Sequence, residues 1–290
     1  MKYLPEGQLI ENEQNRRLLK MLCERDLSAV DGQIMEANCV RCDREHNLWV
    51  DLNGMSGFIP RCEAAVGVDD GSTREIAVLS RVGRPVCFMA VGMKTGTDGS
   101  EMFILSRRAA QEMALESLLA KKIGDVVPAA VTSIAPFGVF VDLGCGIVSM
   151  IGIENISVSR IRSPAERFSI GDSIYAVITG FSNDRIILSH RELLGTWKEN
   201  AALFTAGETV PGIVRGVRDY GVFVELTPNL SGLAEYRDDL PEGTPVSVNI
   251  KSIIPERRKV KLVVIDTLPS LPPRKLRYFV TEGNVAGWEY

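Results

Sequence analysis

A heptapeptide occurs twice in this chain, as FGVFVDL at residues 137–143 and as YGVFVEL at 220–226. Such a near-copy marks a tandem array, and it ties the chain to one small unit used more than once. Aligning the copies exposes a third, HNLWVDL at 46–52. The shared pattern is a ring, a second ring three residues on, and a carboxylate two further. It reads His46, Trp49, Asp51; then Phe137, Phe140, Asp142; then Tyr220, Phe223, Glu225. A glycine precedes each copy by 13 or 14 residues: Gly32, Gly124 and Gly207.

The sequel is also shared. A second apolar stretch follows at 56–63, 149–155 and 231–236. A glycine-led stretch comes next, at 82–91, 170–181 and 242–253. Each unit closes on a basic apolar stretch, MFILSRR (102–108), RIILSHR (185–191) and RKVKLVVI (258–265). These segments alternate with period two, are rich in Val and Ile, and break at Gly, Pro and Asp, so each reads as a strand. Five short strands in about 70 residues predict a small closed barrel of the oligonucleotide-binding (OB) type. The fold class is therefore mainly β, three tandem five-stranded OB-fold barrels joined by short α-helices. The expected layout is a helical extension over 1–27, a first and degenerate module over 28–108, a linker helix over 109–122 and a second module over 123–192. A second linker helix follows over 193–204, then a third module over 205–268. The linkers are rich in Ala, Leu, Glu and Lys, strong helix formers. Over 269–290, a proline break (PSLPPRK) precedes a tail that reads as a hairpin around Glu282-Gly283-Asn284, docked on the third module.

Alternation assigns the faces. Val139, Val141 and Leu143 point one way, Phe140 and Asp142 the other. Val222, Val224 and Leu226 oppose Phe223 and Glu225 in the same way, as Leu48, Val50 and Leu52 oppose Trp49 and Asp51. The aliphatic face is the barrel core. An outward carboxylate marks the second face as wet, which makes Phe140, Phe223 and Trp49 rings on a solvated surface. The first ring falls on the opposite face of a regular strand. Gly138 and Gly221 follow it, and glycine permits the positive φ or bulge that re-aims the preceding side chain. Asn47 takes that place in the first unit, and asparagine is the next most tolerant residue. Paired rings on a barrel face suit unstacked bases, each worth roughly 1–3 kcal/mol. The competing reading is that they pack beneath a neighbouring helix or module. A pattern kept in three units, with a carboxylate beside each outward ring, favours stacking at the surface.

Cations near the rings would serve phosphate. The candidates are Arg185 and Arg191 after the second unit's rings and Arg257, Arg258, Lys259 and Lys261 in the third. Arg215 and Arg218 precede Tyr220, while Arg41, Arg44, Arg107 and Arg108 belong to the first unit. The net charge is −4, from 33 Lys and Arg against 37 Asp and Glu. That balance argues against coating nucleic acid by bulk charge, not against stacking with a few placed cations.

The residues PFGVFVDLGCGIVSMIGIENIS (136–157), IGDSIYAVITGF (170–181), RIILSHRE (185–192), RDYGVFVEL (218–226) and ILSRRAAQE (104–112) resemble tandem S-one domains. These are the repeated RNA-binding modules of the largest small-subunit ribosomal protein of bacteria. The resemblance spans residues 28–266 and is closest in the second unit. It implies that Phe137, Phe140 and Arg185 line one RNA face, and Tyr220 and Phe223 another, with Arg258 or Lys259 as the looser match to the arginine. Departures are Gly152 and Glu235, which stand where the family often has histidine, and Phe181, which stands where it has aspartate. Leading modules of the family can also dock on the ribosome through protein contacts, and His46 and Trp49 of the first unit suit either role.

The sequence thus points to a non-enzymatic, cytoplasmic protein that binds single-stranded RNA, messenger RNA in particular, with the small ribosomal subunit as a further partner. It implies no cofactor, no metal, no membrane and no small-molecule substrate. No apolar run approaches the roughly 18 residues that cross a bilayer, and the N-terminus lacks a signal peptide's apolar region. His46 and His190 are the imidazoles available as general bases. There is no nucleophile elbow or phosphate loop, and GMKTGTDGS (92–100) is too irregular for a nucleotide site. The pair Cys39 and Cys42 lacks the second close pair that structural zinc requires, so the cysteines read as reduced and packed in cores. The alternatives are a protein-interaction scaffold built from OB barrels and a regulatory RNA-binding protein not tied to the ribosome.

Overall fold

The computed structural model describes residues 3–96, 99, 101–182, 185–271 and 276–290. Among them, fifteen strands close into three five-stranded barrels. Barrel one contains β1 (Met35–Cys42), β2 (Leu48–Asp51), β3 (Ser56–Ile59), β4 (Pro85–Thr95) and β5 (Glu101–Ser106). Barrel two contains β6 (Val126–Ala135), β7 (Gly138–Asp142), β8 (Val148–Gly152), β9 (Ser173–Ser182) and β10 (Arg185–Ser189). Barrel three contains β11 (Thr209–Arg218), β12 (Gly221–Thr227), β13 (Leu230–Ala234), β14 (Pro245–Ile254) and β15 (Lys259–Thr267). The strand order is the same in all three. The first three strands run as a meander, the third lies parallel to the fifth, and the fourth closes the ring between the fifth and the first. This is the OB topology expected from the sequence.

The heptapeptides explain the closure. Val139, Val141 and Leu143 are fully buried, as are Val222 and Val224, and Leu48, Val50 and Leu52 match them. Each aliphatic row fills its barrel, and the one-residue alternation leaves the rings outside. The leading glycines all adopt positive φ, +63° at Gly32, +91° at Gly124 and +93° at Gly207. A side chain is disfavoured in that conformation, which is why glycine recurs at these turns.

Two compact units divide the chain. The first is Met1–Lys121 with Pro128–Ala130 and Val141–Ser149; the second is Lys122–Val127 with Val131–Phe140 and Met150–Tyr290. In the first unit, α1 (Glu13–Cys23) and α2 (Leu27–Val30) replace the single helix expected over 11–27. Arg25, at φ +66°, turns the chain between them. The buried Glu36 accepts from the amides of Gly7, Leu9 and Ile10. Glu6 is paired with Arg107 at 2.7 Å and with Arg81 at 3.0 Å. Arg107 opens α4 (Arg107–Leu119), the expected linker helix, whose N-cap is Ser106. A short α3 (Glu75–Leu79) lies between β3 and β4.

The second unit brings two corrections. The helix expected over 193–204 is broken. A 3-10 turn spans Arg191–Leu194, Gly195 follows at φ +83°, and only α5 (Trp197–Ala201) is α-helical, started by a Thr196–Glu199 capping box. Helix propensity loses here to Gly195 and to the cap behind it. The tail is not a hairpin on barrel three. Residues 278–285 dock on barrel two instead, where Val126 N–H donates to Gly283 O and Val285 N–H to Gly124 O, at 3.0 and 2.8 Å. Asn284 completes the junction by donating to Ile123 O and to the Asp125 carboxylate. Most of the PSLPPRK break (272–275), and Thr97, Asp98 and Ser100 of the 92–100 loop, lie outside the described residues.

Candidate nucleic-acid interface

In barrels two and three the two rings meet edge to face in nearly the same geometry. Phe137 and Phe140 have centroids 6.2 Å apart at 86°, and Tyr220 and Phe223 have centroids 6.0 Å apart at 89°. The leading ring is the open one in both, with Phe137 59% and Tyr220 64% exposed. Phe140 and Phe223 are half-buried. Each pair therefore offers an L-shaped apolar corner, one wall exposed and one seated on the sheet, to which a flat base can be applied.

The glycine after the first ring is needed, for reasons that differ in part from the one expected. A Cβ on Gly138 would stand 2.5 Å from the carbonyl oxygen of Ile151 on β8, and one on Gly221 would stand 2.5 Å from that of Ala234 on β13. Close approach of the neighbouring strand is the common cause. Gly221 also takes a positive φ of +152°, whereas Gly138 does not. In barrel one the positive φ, +65°, falls on His46 itself and not on Asn47.

The carboxylates overturn a second expectation. Asp142 and Glu225 are buried, 3% and 2% exposed, so they do not mark a wet face. Asp142 accepts from the amides of Glu6, Gly144 and Gly146 at 2.8, 2.8 and 3.0 Å. Burial, reinforced by the neighbouring Glu6 carboxylate, pushes its pKa up to about 6. Glu225 is held by Arg215 at 2.6 Å and by Arg167 at 2.7 Å. Arg215 also pairs with Glu166. The acid of the repeat is thus a structural anchor beside the ring pair. Asp51 of barrel one alone stays at the surface, where it accepts from the Gly54 amide.

Barrel three gathers cations around its rings. A groove of about 610 Å³ is lined by Tyr220, Phe223, Lys251, Arg258, Lys259 and Lys261, with Glu235 on its edge. Arg258 adopts a left-handed backbone, φ +48°, at the start of β15 after a short 3-10 turn. Arg218 lines a second cleft that includes the same two rings. Arg215 and Arg218 lie on β11, and Arg215 is buried. Lys251 escaped the sequence reading, although an isolated lysine between Ile250 and Ser252 in an alternating strand is its signature.

Barrel two differs. Arg185 is exposed on β10, separated from β7 by β8. Exposed apolar side chains dominate instead: Val148 and Met150 on β8, Phe181 on β9 and Ile187 on β10. Arg191 lies in the 3-10 turn beyond β10 and is not brought to the rings. It sits 3.3 Å from Glu192, and its carbonyl accepts from Asn229.

Barrel one has its ring covered. Trp49 packs on its cross-strand partner Phe58 at 5.1 Å, and the Arg41 guanidinium sits 4.5 Å above the indole. The indole Nε1 donates to Asp43 at 3.2 Å. His46 Nδ1 is 3.4 Å from Glu75.

His190 is fully buried. Its Nδ1 lies 2.9 Å from Ile156 O and its Nε2 3.0 Å from Tyr278 Oη, so Nδ1 donates and Nε2 accepts from the phenol. Burial holds its pKa down to about 4, which leaves it a neutral packing element. Cys39 is buried in barrel one and Cys42 packs at the edge of that core. Among the described residues no group of three metal-binding side chains occurs, and no helix is long and apolar enough to cross a membrane.

Tandem five-stranded OB barrels that carry paired surface rings define the OB-fold class of repeat proteins. Within that class the chain is similar to S1-domain proteins: residues 121–191 match the S1 RNA binding domain family. It is 29% identical over 257 residues to small ribosomal subunit protein bS1 of Leuconostoc lactis, covering 82% of this chain and 57% of that protein. It is 30% identical over 192 residues to bS1 of Rhodopseudomonas palustris, covering 63% of this chain and 32% of that protein. A 4-hydroxy-3-methylbut-2-enyl diphosphate reductase of Fusobacterium nucleatum is 30% identical over 186 residues, but these span only 22% of that protein. The chain thus spans at most 57% of the length of these relatives.

Proposed function

We propose that the chain is a non-enzymatic protein that binds single-stranded RNA, with barrel three as its principal grip. The observation that carries this reading is the ring corner of Tyr220 and Phe223 inside a groove lined by Lys251, Arg258, Lys259 and Lys261. The rings stack on bases and the cations take phosphates, the two parts that sequence-tolerant binding needs. Barrel two supplies a second corner, Phe137 and Phe140, with Arg185 on β10 of the same barrel. Arg218 flanks barrel three's rings, while Arg191, His46 and Trp49 contribute less because each is already engaged. Two weak corners in one chain raise the effective concentration of the second once the first is filled.

The similarity to bS1 proteins supports the small ribosomal subunit as a partner and the cytoplasm as the place of action, and messenger RNA is the single-stranded RNA proposed. The buried His190, bonded at both nitrogens, fits a protein without imidazole chemistry.

The test is a titration of fluorescein-labelled oligouridylate at fixed salt. Phe140→Ala with Phe223→Ala removes one ring from each corner. At roughly 1–3 kcal/mol per stacked base, the expected loss is tenfold or more. Unchanged affinity in a folded variant would remove the stacking assignment. The apolar patch of Phe137, Met150, Phe181 and Ile187 favours a second reading for barrel two alone, as a protein-docking face. Binding there would barely respond to salt, whereas RNA binding weakens steeply as counterions are released.

A further inference from the structure

A second cleft, of about 340 Å³, also borders barrel three's rings. One wall is Tyr220 and Phe223 again. The same cleft is lined by Arg160, from the β8–β9 connection of barrel two, Arg218 of β11 and Tyr290 of the tail. Arg160 and Arg218 are exposed, and neither is in an ion pair among the described residues. Arg215 lines the floor. Its Nε and Nη1 are committed to Glu225 and Glu166, but its Nη2 is buried with no acceptor. The Arg215 side chain is only 4% exposed. A buried guanidinium nitrogen without a partner costs free energy, and the natural remedy is an oxygen placed in the cleft. Tyr290 is fixed in position by its hydroxyl, which donates to Asn229 O at 3.0 Å.

Rings, unneutralised guanidinium groups and an orphan donor lining one cleft make a chemically mixed site. It suits a ligand that is flat and aromatic at one end and anionic at the other. We infer that this cleft is a nucleotide subsite that holds one nucleotide of the RNA strand next to the base on Tyr220 and Phe223. Arg160 and Arg218 take its phosphates, Arg215 Nη2 donates to one of its oxygens, and Tyr290 adds a stacking surface. The RNA then runs from the lysine groove across the ring corner into the arginine cleft, and the tail becomes part of the binding surface. This inference rests on the RNA-binding reading and extends it to residues outside the repeat motif.

The experiment uses the full chain and labelled oligouridylate of about ten nucleotides, within the span of one to two OB barrels, over a range of salt. Three proteins are compared with the parent: Arg160→Ala with Arg218→Ala, Tyr290→Ala, and Phe223→Ala. The double arginine variant should bind at least tenfold more weakly. Its log–log salt slope should fall by about 1.4, roughly 0.7 for each phosphate that is no longer neutralised. Tyr290→Ala should lose three- to tenfold. The two arginines are exposed, so melting temperature should not move. If Phe223→Ala weakens binding but the double arginine variant keeps both affinity and slope, the subsite is wrong and the ring corner stands. If the parent fails to bind oligouridylate, both readings fall.

Discussion

Barrels two and three carry the same corner in different surroundings. The ring geometry agrees within 0.2 Å and 3°, yet barrel two exposes apolar side chains on its other strands while barrel three lines its corner's groove with three lysines and an arginine. The S1 family match falls on barrel two, whereas the cations gather on barrel three. The contrast separates two properties that a motif merges. Backbone and rings define the module, while the charge around them defines what the module can hold.

The acid at the end of the motif gives the largest expected difference. Glu225 lies between two buried arginines, so Glu225→Ala strands Arg167 and leaves Arg215 with Glu166 alone. Breaking a buried pair on one side costs about 3–5 kcal/mol, and urea unfolding should report a loss of that order. A loss below about 1 kcal/mol would show that the arginines find solvent instead.

Next comes the comparison of ring pairs. Tyr220→Ala with Phe223→Ala should weaken oligouridylate binding by about 30-fold or more, at roughly 1–3 kcal/mol per ring. Phe137→Ala with Phe140→Ala should cost only a few-fold, because few cations share that corner. Equal losses would mean that stacking alone sets affinity and that the surrounding charge is incidental.

The smallest effect is expected at Asp142, the counterpart of Glu225. Its folded pKa, about 6, stands above the ordinary 3.8. Stability from this group is fully present below about pH 4 and lost as pH rises through 6. Asp142→Asn should therefore flatten the decline between pH 4 and 6 and change stability at pH 7 by about 1 kcal/mol or less. Urea midpoints at three pH values would measure it. A destabilisation at pH 7 as large as that of Glu225→Ala would contradict the difference between the two acids.

The barrels were legible because their cause is local. Period-two rows such as Val139, Val141 and Leu143 sort inside from outside without reference to the rest of the chain. The acids were misread because their partners are distant. Nothing near Glu225 in sequence announces Arg167, 58 residues away, and nothing near Asp142 announces the amide of Glu6. Gly195 inside a helix-forming stretch was a visible warning that propensity outweighed. The tail was readable as a turn at Gly283, but its seat on Gly124 depends on tertiary contact. Among the proposed site residues, the rings and Arg258 and Lys259 followed from the repeat. Lys251, Arg160 and Tyr290 did not, because the repeat does not contain them.

The glycine after the first ring has a consequence for how such a site can change over generations. A neighbouring carbonyl fixes the backbone beneath the ring, so the seat is set before the occupant is chosen. Phe137 and Tyr220 differ by a hydroxyl and land in the same place. The chain can exchange one aromatic for another there and retune chemistry without moving the corner. At the glycine it has no such liberty.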